Sequence, residues 1–130
     1  MKILNNIKPV IKKFYEIEEE KLPEDQAQKS YIRWLLTDDD GANNFFMRLF
    51  RMEPGGHINS HFHPWEHEIF IVEGKGRVRI GSKIYNVEEG NFLFIPPNAE
   101  HEYWADSELR FICIIPSKPT ANEVDKPVEY

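Results

Sequence analysis

The segment HFHPWEHE, residues 61–68, holds three of the five histidines in this chain. His61 and His63 are two positions apart, so on an extended strand both rings project from one face. His67 follows after Pro64, Trp65 and Glu66, and a fourth histidine, His101, lies far downstream behind Pro96, Pro97 and Asn98. Imidazole is the commonest metal-binding side chain, and such a cluster predicts one divalent transition metal per chain. Nitrogen-only ligation suits Fe, Ni, Cu or Zn by affinity, with Mn held more weakly. No serine or cysteine stands in a glycine elbow, and Gly74-Lys75-Gly76 is too short to cradle a phosphate, reading instead as a hairpin turn. No catalytic residue is singled out by type and spacing alone.

The elements that must position these rings are short. From Tyr31 onward, runs rich in aromatic and β-branched residues alternate with turn signals. YIRWLL gives way to DDDGANN and then FFMRLFRM, with EPGG read as the end of that pair. HEIFIV, RVRI, IYNV, FLFI, EYW and LRFICII follow, separated by EGKG, GSK, EEGN, PPNAEH and ADSE. The links are too short for crossover helices, so the expected class is an all-β sandwich or barrel rather than a parallel α/β sheet. The expected organisation is an N-terminal arm over 1–30, a barrel over 31–116 and a polar tail over 117–130. Within the arm, Ile7, Val10, Ile11, Phe14 and Tyr15 could form a short helix or an extended strap, and Glu16 to Glu20 reads as a solvated face.

Length and composition bound the partners. At 130 residues, with 41% hydrophobic and 13% aromatic residues, the chain suits one folded domain with its own core. A net charge of −6 disfavours nucleic acid or an anionic membrane as partner, since either needs a basic patch. The lone cysteine, Cys113, cannot form an internal disulfide, and no stretch has signal-peptide or membrane-spanning character; a cytoplasmic location is the expectation.

The segment Gly55 to Gly74 resembles the first motif of the cupin superfamily, G-x5-H-x-H-x3-4-E-x6-G, with Gly55, His61, His63 and Gly74 on its fixed positions. Gly90 to Ala105 resembles the second, G-x5-P-x-G-x2-H-x3-N, through Gly90, Pro96 and His101. Asn98 replaces a motif glycine, and Asn tolerates a positive φ, so the turn should survive. Ala105 replaces the motif asparagine. The motif glutamate is displaced: counted back from Gly74 the position is His67, while counted forward from His63 it can be Glu68. Adjacent strand residues face opposite ways, so one of the two points inward, and either choice gives an acceptable core face.

The resemblance implies a double-stranded β-helix, the jelly-roll barrel of cupins. It is similar to a subgroup of small single-domain cupins, over about residues 44–116, whose site is built from four histidines and often holds manganese. Carried onto this chain, the ligands would be His61, His63, His67 and His101, with His67 ahead of Glu68. It also implies that Arg48, Ile58, Phe111 and Cys113 line a substrate pocket, Arg48 gripping a carboxylate in its fork. Pattern alone leaves Arg48 as a solvent-facing strand residue, and Cys113 as a small buried hydrophobe. Tyr103 and Trp34 read as packing, Trp65 as packing or the pocket mouth, and His57 as a solvated loop residue. The function expected is a metal-dependent oxidoreductase of the dioxygenase type acting on a small oxygenated or phenolic molecule. The alternatives are a non-catalytic module holding a small anion, or a metal-free sugar-type isomerase. A homodimer is expected, with the arm adding a strand to a neighbour's sheet. With ordinary imidazole pKa values, metal should be lost below about pH 6.

Overall fold

The computed structural model describes residues 7–117. Alternating apolar and polar residues make each run a strand with one buried face: Leu109–Pro116 alternates buried and half-buried along its whole length. In chain order the strands are β1 (Glu20–Lys21), β2 (Ala27–Leu36), β3 (Phe45–His61), β4 (His67–Glu73), β5 (Lys75–Ile80), β6 (Lys83–Glu88), β7 (Phe92–Ile95), β8 (His101–Ala105) and β9 (Leu109–Pro116). Two 3-10 turns, Phe14–Glu16 and Asp38–Asp40, are the helical elements among the described residues. No helix there is long and apolar enough to cross a membrane.

All pairings are antiparallel and run in the order β6-β5-β8-β3-β9-β4-β7, with β2 on β3 and β1 on β2. The sheet closes into a jelly-roll barrel because β3 serves both halves. Its first part pairs with β9 through Phe45 to Met52, and its last part pairs with β8 through His57 to His61. Between them the strand turns at Gly55, φ 83°, and β2 turns with it at Lys29, φ 54°. A Cβ on Gly56 would meet Glu53 O at 2.9 Å and Lys29 O at 3.0 Å, so the two backbones close on each other there. EPGG is therefore a bend within one 17-residue strand. The sequence reading ended a strand there because bends and turns use the same residues.

Gly74-Lys75-Gly76 is corrected in the same way. β4 pairs with β7 and β9, while β5 pairs with β6 and β8, so this segment carries the chain from one half of the curled sheet to the other and is not a hairpin turn. Gly74 has φ 90°, and a Cβ on it would fall 1.8 Å from Glu108 O.

The last part of the expected arm already belongs to the barrel's sheet. β2 begins at Ala27, which is buried, and β1 pairs with it through Glu20–Ile32 and Lys21–Tyr31. Phe14–Glu16 is a single 3-10 turn, and residues 7–13 have no regular structure. The first six residues of the expected arm, and the expected tail beyond Ser117, lie outside the described residues. The core between the sheets includes Phe50, Met52, Ile58, Ile69, Ile71, Val78, Tyr103 and Phe111, all fully or nearly fully buried.

Candidate metal centre

The four histidines come from three strands and one loop at one end of the barrel. His61 ends β3 and lies opposite His101, which begins β8. His67 begins β4, and His63 sits in the loop between β3 and β4. That loop is tied to the turn preceding β8 by Asn98 N–H, which donates to His63 O at 2.7 Å. Asn98 has φ 65°, the conformation expected of a glycine substitute. One turn therefore positions His101 and also secures His63.

Strand parity decides between His67 and Glu68. In β4, His67, Ile69 and Ile71 face the core, while Glu68, Phe70 and Val72 face outward. One candidate ligand nitrogen from each of His61, His63, His67 and His101 lies within 4.8 Å of all the others, and no carboxylate joins the group. For a metal–nitrogen bond of about 2.1 Å, ligands on opposite sides of an ion are about 4.2 Å apart and neighbours about 3.0 Å. The observed span and the 2.7 Å separation of His63 Nε2 from His67 Nε2 match that scale. His67 and His101 are 1% exposed and His63 4%, whereas His61 is half-buried and marks the mouth.

The other ring nitrogens are engaged. His61 Nδ1–H donates to Asn59 O at 2.8 Å, His63 Nδ1–H to Trp65 O at 2.9 Å, and His101 Nδ1–H to Ala99 O at 2.8 Å. A proton fixed on Nδ1 leaves the Nε2 lone pair for an electrophile, the usual arrangement of a metal-ligating imidazole. His101 Nε2 is buried with no hydrogen-bonding partner, as suits a nitrogen whose lone pair is reserved for an ion. His67 differs: its Nδ1 lies 2.8 Å from Cys113 Sγ and 3.4 Å from Arg48 Nη2, and Arg48 Nη2 also donates to Cys113 Sγ at 3.0 Å. The donor set and its orientation fit a divalent transition metal.

Burial pushes the His63 ring down to about 4 and the His101 ring to about 3. His67 falls well below the ordinary imidazole value, first through burial and then through the Arg48 charge. Rings held neutral this strongly are available as ligands at neutral pH.

Arg48, Ile58, Phe111 and Cys113 are all buried inside the barrel below the rings. The guanidinium of Arg48 lies between the Phe50 and Trp34 rings, 5.0 and 5.4 Å from their centroids, and behind His67. Pattern alone placed it in solvent; the 0% exposure corrects that. Phe111 stacks between Phe50 and Tyr103, and Tyr103 lies edge-on to His101. Trp65 stacks on His63 with centroids 4.1 Å apart. His57 is not a loop residue: it lies on β3, stacked on Trp104 and paired with Glu102, apart from the cluster. The sequence reading missed the backbone carbonyls of Asn59, Trp65 and Ala99. Their one signal is that each lies two residues from the histidine it holds.

The cupin domain model matches residues 48–115, which contain both motifs and all four rings. The chain belongs to the cupin family. This cupin is 32% identical over 101 residues to "Polyketide synthase CurC" of Streptomyces cyaneus, covering 72% of this chain and 66% of that protein. It is 30% identical over 101 residues to the "1-methylthio-D-xylulose 5-phosphate methylsulfurylase" of Rhodospirillum rubrum, covering 76% of this chain and 61% of that protein. The match thus spans about two thirds or less of those relatives' lengths. Among solved structures, the polyketide cyclase RemF of Streptomyces resistomycificus superimposes with a TM-score of 0.80 at 28% identity, covering 85% of this chain and 81% of that one.

Proposed function

We propose that this cupin is a metal-dependent enzyme of the oxidoreductase type, acting on a small phenolic or enolisable oxygen-rich substrate that chelates the ion. The observation that carries the reading is the convergence of four imidazoles, each with its Nδ1 already engaged, and no carboxylate among them. A divalent transition metal bound there would supply Lewis acidity and, if redox-active, electron transfer to dioxygen. Four protein ligands would leave room at such an ion for a chelating substrate.

The chain's own residues do the rest. His61, His63, His67 and His101 would hold the ion without cancelling its charge, which would favour an anionic enolate or phenolate over a neutral molecule. Ile58, Phe111 and Tyr103 form a buried apolar floor that excludes water, which strengthens each polar contact above it. Arg48 and Cys113 keep the His67 ring in register. Likeness to a polyketide synthase component and a polyketide cyclase supports a polyoxygenated substrate class.

The test is oxygen uptake by metal-loaded protein with a catechol and a β-diketone as probes. The expected result is uptake that ceases on chelation and returns with metal. Turnover that proceeds anaerobically would move the assignment to a cyclase-like reaction, and binding without turnover would make the protein a ligand-holding module.

A further inference from the structure

Ile58 and His61 both face the interior, although they lie an odd number of positions apart on β3. A regular strand would turn one of them out, because successive side chains alternate faces. The pairing with β8 keeps both inside. Ile58 lies opposite Tyr103 and His61 opposite His101, so Asn59 and Ser60 together face the single residue Glu102. This is a β-bulge, in which one extra residue re-aims the side chain that follows. On the other side of β8 the register with β5 is unbroken, through Val78–Tyr103, Arg79–Glu102 and Ile80–His101.

The bulge is held from outside the barrel. Arg79 Nη2 donates to Ser60 Oγ at 2.8 Å and to Glu102 Oε1 at 3.0 Å. Its Nη1 donates to Gly81 O at 2.7 Å and to Glu100 Oε1 at 3.2 Å. One guanidinium thus ties the neighbour of His61 to the two residues that flank His101. Asn59 is fixed separately, its N–H donating to Gln26 O at 2.9 Å and its Nδ2 to Asp25 O at 3.1 Å. Its carbonyl accepts the His61 Nδ1–H. A slip of one residue would set Ser60 opposite His101 with its hydroxyl inside, and would turn His61 to the outer face. Arg79 would lose Ser60 in that register, so its bonds favour the bulged one.

We propose that Arg79 is a positioning residue of the metal centre, acting through the Asn59–Ser60 bulge to hold His61 among the other three rings. The proposal rests on the four rings being a metal centre and is independent of the reaction assigned to it. His63, His67 and His101 are confined by burial, whereas half-buried His61 depends on the strand that carries it.

Zinc affinity of the full chain, measured by competition with a chromogenic chelator, tests this through a double-mutant cycle. Arg79→Ala should weaken zinc binding about tenfold in the otherwise unaltered chain. With His61 already replaced by Ala, the same change should alter affinity by less than about twofold. Removing a positive charge near an ion would by itself tighten binding, so a loss reads position rather than charge. Ser60→Ala, at an exposed residue whose replacement does not burden folding, should reproduce the loss in part, and Ser60→Thr, which keeps the hydroxyl, should not. Arg77→Ala, on the same face of β5 but paired with Asp106, should leave affinity unchanged. An equal loss with and without His61 would overturn the proposal, since Arg79 would then support the fold at large. Unchanged affinity in both Arg79→Ala and Ser60→Ala would overturn it as well. A chain that binds no zinc would overturn the metal centre itself, and this proposal with it.

Discussion

Burying four imidazoles beside one another makes sense chemically only if they stay neutral, and the three deepest rings are held well below the ordinary value by burial. This moves the pH at which protons compete with metal. An unperturbed ring would give way below about pH 6, whereas rings near 4 and 3 should keep the ion at pH 5.5 and release it as the pH approaches 4. Equilibrium dialysis followed by elemental analysis across that range checks it; release complete at pH 6 would contradict it. The metal-free protein carries the corresponding linkage. The folded pKa values lie below the unfolded one, so the unfolded chain binds more protons, and stability present above pH 6.5 is lost as pH falls toward 4. Chelated protein should be less stable at pH 5 than at pH 7.5 by about 2 kcal/mol for each of His63 and His101, read by urea titration. Ligand identity has a separate test. His67→Ala should empty the site, while Glu68→Ala, on the outer face, should leave it filled. Cys113→Ala removes the nearer of the two partners of His67 Nδ1 and should weaken metal affinity about 10- to 100-fold, measured by competition with a chromogenic chelator.

At the scale of elements, the barrel class, the two motifs and the ring cluster were legible because each is a local pattern: alternation, turn residues and fixed spacing. The choice between His67 and Glu68 was not, since both parities of HEIFIV bury three apolar or ligating residues. Only the pairing of β4 with β7 and β9 decides which face is inside. Gly55 and Gly74 were visible as punctuation, but whether a glycine ends a strand, bends it or carries the chain to the other half of the curled sheet depends on partners far away in sequence. Arg48 was hidden for a related reason, since a buried guanidinium reads as a surface residue until its aromatic neighbours and Cys113 are assembled around it. Gly74 and Gly81 separate the two kinds of glycine. Both have positive φ, yet a Cβ on Gly74 would collide with the Glu108 backbone whereas one on Gly81 would meet nothing within 4 Å. Gly81→Ala should cost about 1 kcal/mol. Gly74→Ala should cost about 3 kcal/mol or more, because the sheet crossing must also move. Equal midpoints in urea would contradict this account of the crossing.

Across the whole molecule, the centre joins the two halves of the barrel that β3 also links. His67 belongs to the β7–β4–β9 half, His101 to the β6–β5–β8 half, and His61 to the strand that serves both. An ion held by all three therefore closes one end of the barrel, and unfolding either half must release it. Ligand that binds only the folded state stabilises by mass action, about 2.7 kcal/mol at one hundred times its dissociation constant. For a domain of this size that corresponds to roughly 10 °C in the thermal midpoint. Metal added to chelated protein should thus raise the midpoint by about that amount, and chelation should reverse it. His67→Ala and His101→Ala should each abolish the shift, one from each half of the barrel. His57→Gln, whose ring faces Glu102 and Trp104 instead of the cluster, should leave it intact. If metal shifted the midpoint equally in all three variants, the ion would be binding elsewhere and the four-ring centre would not be its site.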